Sequence, residues 1–130
     1  MFTQETKNVF IVLASIICLL SVAKLSCGAD VLHNVNVRRS YLGLPPFIHD
    51  PRLTQLAERE SNIQASRGRM GHYSGCPSPA RGAGVGYTSY RDPTGRRFQS
   101  CYAATRKYRY AGASAVVGRN GRTYYTLMLR

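Results

Sequence analysis

The chain has 130 residues, of which 18 are basic and 6 acidic, giving a net charge of +12. This length is enough for one domain with a modest core and excludes a two-domain architecture. No run of basic residues is longer than two, so a basic tail for nucleic acid is excluded and no nucleic-acid partner is expected.

Residues 1–29 have the pattern of a secretory signal peptide. A short polar start precedes an uninterrupted apolar run at residues 9–23, which is shorter than the ~20 residues that usually span a bilayer. We expect cleavage after Ala29, which leaves one domain at residues 30–130, secreted or held in the periplasm or cell envelope. The alternatives are an uncleaved membrane anchor and lipidation at Cys27, and only these would tether the chain to a membrane.

Removal of this segment leaves 16 basic residues (18 − 2) and 5 acidic residues (6 − 1), so the net charge is +11. Every remaining basic residue except Lys107 is arginine. Because guanidinium binds carboxylate and phosphate groups bidentately, this favours an anionic partner such as a lipid or a wall polymer. The alternative is that a GC-rich genome encodes arginine in place of lysine.

Two cysteines remain, Cys76 and Cys101, and an oxidising compartment favours a disulfide between them. Closure of that loop is worth roughly 3–4 kcal/mol in the chain-entropy model. The stretch RMGHYSGC also sets His72 close to Cys76, so a catalytic Cys–His pair is the alternative. Catalysis would need Cys76 as a free thiolate, and Cys101 competes for that sulfur.

Two helices are predicted in the first half of the domain. The first begins with Asp30 as its N-cap and ends near Gly43. Its apolar stripe is narrow and consists of Leu32, Val35 and Leu42. Pro45 and Pro46 follow and force an extended turn.

The second helix is predicted from about Pro51 to Arg67, with Asp50 as N-cap and Pro51 at the first helical position. Gly68 ends it. The side chains expected on its buried side are Leu53, Leu56, Ala57 and Ser61. Glu58 and Glu60 are two residues apart, so they face different ways and form no catalytic carboxylate pair.

The second half of the domain has strand signals. Asn120-Gly121 predicts a β-hairpin with a type I′ turn, and the run after it is apolar on both faces, as in a strand covered on each side. Residues 84–90 are a further strand candidate, with no regular structure expected before about Val85. Residues 98–108 fit either a short helix or a strand. Helices followed by strands predict an α+β fold.

Several short motifs occur in order: N-x-x-R at Asn36 and Arg39, then GLPPF, HDPRL, a helix of alanine and charged residues, and GRMGH. Together they resemble the N-terminal half of the CAP superfamily (cysteine-rich secretory proteins, antigen 5 and pathogenesis-related proteins), closest to its compact bacterial members. Residues 111–130 are similar to the closing hairpin of those members. The resemblance implies a single α-β-α sandwich domain with a C-terminal antiparallel hairpin.

The resemblance also implies a cleft in which two histidines and two acidic residues bind a divalent metal such as zinc. His72 stands where the first histidine would be, but Ala83 occupies the comparable place of an acid, and no later histidine exists. Zinc usually needs three or four protein ligands. We therefore expect no cofactor, with His72 as the one candidate metal ligand.

One segment alternates basic and aromatic residues: Arg106, Lys107, Tyr108, Arg109 and Tyr110. It is the candidate contact for an anion or for a stacked base or sugar. The alternative is that its tyrosines cover the edge of a small core while its arginines are solvated. The sequence thus predicts a binding or structural module without catalytic residues, whose ligand is a lipid, wall polymer or other anion. A secreted hydrolase or metal-dependent enzyme using the His72 region is the alternative.

Overall fold

The computed structural model describes residues 28–100 and 102–130. Within them, two helices and a four-stranded mixed sheet form an α+β domain with helices on both faces of the sheet. The elements are α1 (28–41), β1 (Ile48–His49), α2 (Pro51–Arg67), β2 (Gly82–Thr88), β3 (Tyr110–Val117) and β4 (Thr123–Leu129). The predicted α-β-α sandwich with a closing hairpin is confirmed. Residues 1–27 of the predicted signal peptide lie outside the described residues, so the signal peptide stays a prediction.

The strand order is β1-β3-β4-β2, with β4 in the middle of the sheet. It pairs antiparallel with β3 and with β2, while the short β1 pairs parallel with β3. All seven residues of β4 are buried. Its odd-numbered side chains, such as Leu127, pack on the α1 side, and Met128 packs on the α2 side. The prediction of a strand covered on both faces is therefore confirmed.

Two hydrophobic cores separate the three layers. The α1-side core is the larger and contains Val31, Leu32, Val35, Phe47, Phe98, Ala111, Ala113, Tyr125, Leu127 and Leu129. The α2-side core is built largely from small side chains and contains Leu53, Ala57, Ala80, Ala83 and Met128. Small residues in this layer bring α2 close to the sheet, and a Cβ added at Gly112 would collide with the backbone of α2.

The start of α1 differs from the prediction. Gly28 and Ala29 are already helical, so Asp30 as N-cap was wrong. Gly28 is buried, and a Cβ there would lie 3.1 Å from the carbonyl oxygen of Ala113, so α1 packs closely on β3 at this point. At the other end, Leu42 is 58% exposed, because the chain has already left the helix.

Local capping signals explain α2, whose predicted bounds are confirmed. The Asp50 carboxylate accepts the Arg52 N–H at 2.9 Å, and Gly68 ends the helix at φ +64°. The predicted inner residues Leu53, Ala57 and Ser61 are buried, and Leu56 is half-buried. Two further inward-facing residues are polar, Glu60 and Gln64.

The closing hairpin is confirmed, but its predicted turn type was wrong. A type I′ turn needs positive φ at Asn120 and Gly121, and of these only Gly121 has one, at +78°. The Gly121 N–H donates to the Gly118 carbonyl at 3.0 Å, and the Gly118 N–H donates to the Arg122 carbonyl at 2.8 Å. This is a three-residue loop with a type I turn and a glycine bulge, because Arg119 belongs to the loop as well.

Strand β2 begins at Gly82, three residues before the predicted limit of irregular structure. Its glycines alternate, and their missing side chains make room for the segment before β3. An added Cβ would lie 2.8 Å from the Tyr108 ring at Gly82 and 2.7 Å from the Gln99 carbonyl at Gly86, and at Gly84 it would collide with Ser100. The described residues of 98–108 form a turn at 102–104 and otherwise irregular structure, which is neither of the two predicted alternatives.

Candidate anion-binding site

A groove of about 590 Å³ lies beside the segment that the sequence singled out for anion contact. We call it the basic groove; it is lined by Arg39, Pro45, Pro46, Ile48, Arg106, Lys107, Tyr108 and Arg109. Half of these residues are cationic and none is acidic. The two prolines and Ile48 add an exposed apolar wall.

Hydrogen bonds of the sheet position the cationic segment. The Ile48 N–H donates to the Arg109 carbonyl at 2.9 Å, and the Arg109 N–H donates to the Arg130 carbonyl at 3.1 Å. Arg109 is thus held between β1 and the end of β4, with its side chain exposed. Before it, the Lys107 N–H donates to the Thr105 hydroxyl at 3.1 Å, which fixes the turn.

Arg39 is only 2% exposed. Its Nε donates to the Pro45 carbonyl, and its Nη1 donates to the carbonyls of Ala103 and Thr105, each at 2.8 Å. The guanidinium carbon lies 3.8 Å from the centre of the Phe47 ring. These contacts tie the turn after α1 to the segment before β3, and so they join the two walls of the basic groove.

The charge of Arg39 has no carboxylate partner in the part of the chain that the structure describes. There the ion pairs are those of Asp50 with Arg52 and Arg130. Burial and the positive charge of Arg106 lower the pKa of Arg39 from its ordinary value. Two like charges that disfavour each other create a place where an anion would be stabilised.

A second groove of about 470 Å³ lies on the other side of Lys107 and Arg109. Both side chains line both grooves and form a cationic ridge between them. Arg81 and Arg130 add further charge to the second groove. Arg130, however, is paired at 2.7 Å with Asp50, so it contributes less free charge than the ridge.

The tyrosines of the predicted segment are engaged within the protein. The Tyr108 hydroxyl donates to the Arg81 carbonyl at 3.1 Å, and its ring meets Tyr102 edge-on at 5.9 Å between centroids. Arg130 covers the Tyr110 ring at 4.2 Å. The structure brings the five predicted residues together, but it supports contact through charge rather than stacking of bases.

His72, the predicted metal candidate, is exposed in the loop after α2. No group of three or more histidine, cysteine or acidic side chains placed to hold a metal occurs among residues 28–100 and 102–130. Beside His72, the buried Glu60 carboxylate accepts the N–H groups of Tyr73 at 2.6 Å and Ser74 at 2.7 Å. Glu60 therefore fastens this loop to α2. Zinc at His72 stays an untested prediction without a described ligand set.

Cys76 is exposed and has no disulfide partner among the described residues. Its predicted partner Cys101 lies outside them, so the disulfide stays a prediction. The same loop carries His72, and neither side chain is buried in a cleft. The catalytic Cys–His alternative gains no support from this arrangement.

A further groove of about 590 Å³ lies between the end of α2 and the hairpin loop. It is lined by Arg67 and Arg119 and by smaller residues, without a buried cation. The Arg67 guanidinium already makes a cation–π contact with the Tyr73 ring, at 4.4 Å from the ring centre. The basic groove has more cations and an apolar wall, so it is the better candidate site.

No protein-family model matches the chain, and no curated protein matches it. Among the described residues, no helix has the length and apolar character needed to cross a membrane. Sequence reasoning found the cationic segment at 106–110 but missed Arg39, Pro45 and Ile48 as its partners in the groove. The N-x-x-R motif and the double proline marked them only as structural residues.

Proposed function

We propose that this protein is an exported CAP-like module that binds an anionic ligand, a lipid headgroup or a wall polymer, without catalysis. The basic groove carries the proposal. It combines a buried arginine that has no acidic partner in the described chain with exposed cations at Arg106, Lys107 and Arg109. Arginine and lysine donate several hydrogen bonds at once to phosphate or carboxylate oxygens.

The chain's distribution of acids supports this assignment. No acidic residue lies between Asp30 and Asp50, and none follows Asp92. The turn after α1 and the segment before β3, which form the groove, come from these two stretches. The positive potential there is therefore not cancelled by neighbours in sequence, and an anion is attracted from a distance of about one Debye length.

The enzymatic alternative has no comparable observation. Residues that line the basic groove are cationic, apolar or phenolic, and no carboxylate or histidine is among them to act as a general base. His72, on which that alternative depends, is exposed, and its loop is fastened to α2 through Glu60. We therefore base the proposal on binding alone.

The first test is binding of inorganic polyphosphate to the purified protein at 50 and 200 mM salt. We expect the double variant Arg106→Ala/Arg109→Ala to bind about 30-fold more weakly, since each cation near an anionic ligand contributes about 1 kcal/mol. The charge-matched control is Arg59→Ala/Arg91→Ala, which removes two exposed arginines outside both grooves. It should change the affinity less than threefold.

Salt separates this site from unspecific attraction. The wild type should lose affinity steeply between the two salt concentrations, and the groove variant should show a shallower dependence. Equal weakening in both double variants would mean that net charge alone attracts the polymer. That result would overturn the basic groove as the binding site.

A further inference from the structure

The end of α1 carries large apolar side chains that the described part of the chain leaves exposed. Tyr41 is 86% exposed, Leu42 58% and Val37 38%. We call these three residues the apolar tip. Apolar side chains that are exposed next to one another on a small domain are typical of a surface that binds a partner or a membrane.

The apolar tip adjoins the basic groove. Leu42 lines a hollow of about 220 Å³ that also includes Arg38 and Ala103, and the Ala103 carbonyl accepts the hydrogen bond from Arg39. The tip and the groove thus lie on either side of one chain segment. Ile48, 42% exposed, places a further apolar side chain on the wall of the groove.

Cations also surround the tip on its other side. Val37 and Tyr41 line a shallow hollow of about 290 Å³ together with Arg38 and Arg96. Arg38 is held in place by hydrogen bonds to the carbonyls of Phe98 and Arg96. All of these residues belong to the two stretches that lack acids.

We propose that the apolar tip and the basic groove together form a docking surface for an anionic lipid bilayer. This rests on the proposed function and names its ligand as lipid rather than free polymer. Tyr41 and Leu42 enter the interface between headgroups and acyl chains, where a tyrosine ring has both an apolar and a polar neighbourhood. The cations around them, including Arg106 and Arg109, contact lipid phosphates.

The combination of apolar and cationic residues decides between the two sources of anions. A soluble polyphosphate or wall polymer would use the cations and leave Tyr41 and Leu42 in water. A bilayer surface uses both, because burial of the apolar side chains adds to the attraction of the charges. No membrane-crossing segment is needed for this mode of attachment, which lies on the surface.

The test measures binding of the purified protein to vesicles of phosphatidylcholine alone and of phosphatidylcholine with one-third phosphatidylglycerol. The difference between the two vesicle types is the readout, because an apolar N-terminal anchor would act on both. We expect the variant Tyr41→Ser/Leu42→Ser to lose about tenfold in affinity for anionic vesicles and to bind polyphosphate like the wild type. The control Tyr87→Ser/Tyr90→Ser removes two half-exposed tyrosines outside the apolar tip. It should change neither the affinity for vesicles nor the affinity for polyphosphate.

The outcomes separate this inference from the proposed function. If Tyr41→Ser/Leu42→Ser binds anionic vesicles as tightly as the wild type, or if the wild type binds polyphosphate but not vesicles, the docking surface is wrong and the anion site stands. If the wild type binds neither probe, both proposals fail. Both proposals are supported if Arg106→Ala/Arg109→Ala weakens the binding of both polyphosphate and anionic vesicles while Tyr41→Ser/Leu42→Ser weakens only the binding of vesicles.

Discussion

At the scale of single residues, Arg39 links the fold to the basic groove. Its buried guanidinium donates hydrogen bonds to three carbonyls from two separate segments, so its removal would leave these carbonyls without those partners. The sequence marks Arg39 through a motif, but whether a carboxylate neutralises it depends on tertiary positions that no local pattern encodes. That is why the part that Arg39 plays in the basic groove could not be predicted from the sequence.

Asp92 illustrates a second buried charge, and it makes stability depend on pH. Burial opposes its ionisation, but hydrogen bonds from the Tyr125 hydroxyl at 2.6 Å and from the N–H groups of Arg97 and Arg96 prevail. These bonds hold the pKa of Asp92 below its usual value. Its contribution is therefore present above the unfolded-state pKa of about 3.9 and is lost as pH falls through the folded-state pKa.

We predict that Asp92→Asn lowers the free energy of unfolding by about 2 kcal/mol at pH 7, because charge-assisted hydrogen bonds are replaced by weaker ones. The difference from the wild type should shrink as pH is lowered below about 4. Urea denaturation across this pH range measures it, with the exposed Glu58→Gln as control. A constant difference at every pH would show that the charge of Asp92 has no stabilising role.

At the scale of elements, the quality of a prediction follows how local its cause is. Helix α2 was predicted at both ends because Asp50, Pro51 and Gly68 act within one turn of the chain. The turn of the hairpin was predicted wrongly because the pairing of Val117 with Thr123 sets the loop length. The close packing of Gly28 against α2 and β3 likewise joins positions that are distant in sequence, which no local pattern encodes.

The contact between α2 and β3 gives a prediction for a single glycine. We expect Gly112→Ala to lower the free energy of unfolding by at least about 3 kcal/mol, because its Cβ would meet backbone atoms of Leu53 and Thr54, which cannot rotate away. Gly75→Ala is the matched control, with a strained φ of +63° but open space around it. It should cost only about 1 kcal/mol.

Thermal and urea unfolding of the two variants measure this contrast. Equal losses would mean that backbone freedom rather than close approach explains Gly112. A folded Gly112→Ala variant of wild-type stability would mean that α2 packs further from the sheet than it does in this structure.

At the scale of the whole molecule, the three layers follow from apolar patterns, whereas the binding surface does not. Strand β4 is apolar on both sides, which requires a helical layer on each face. The basic groove is assembled from loops that are far apart in sequence, such as those at Arg39 and Thr105, which are 66 positions apart. Only the cationic cluster on one of these loops is visible in the sequence.

The predicted disulfide also concerns the whole molecule. The loop of Cys76 is fastened to α2, whereas Tyr102, next to Cys101, packs into the core on the α1 side. A bond between the cysteines would therefore tie the loop after α2 to the segment before β3. We predict that the non-reduced protein has the mass of the reduced one minus two hydrogens, and that reduction costs about 3 kcal/mol of stability.

Intact-mass measurement with and without a reducing agent, together with urea denaturation, checks this expectation. If Cys76 and Cys101 can both be alkylated in the non-reduced protein, the predicted disulfide is wrong. The variant Cys76→Ser should have the stability of the reduced wild type. The control Ser74→Ala should keep the mass difference of two hydrogens between its reduced and non-reduced forms.

The alternating glycines of β2 restrict how this protein can evolve. A side chain at Gly86 would meet the backbone of Gln99, and side chains at Gly82 and Gly84 would force Tyr108 and Ser100 to move, so substitutions at these three positions are unfavourable. The arginines outside are under no such steric restriction. Distant descendants of this chain should therefore retain the spacing G-x-G-x-G ahead of the hairpin even after their surfaces have diverged, and this spacing is the signature by which they can be recognised.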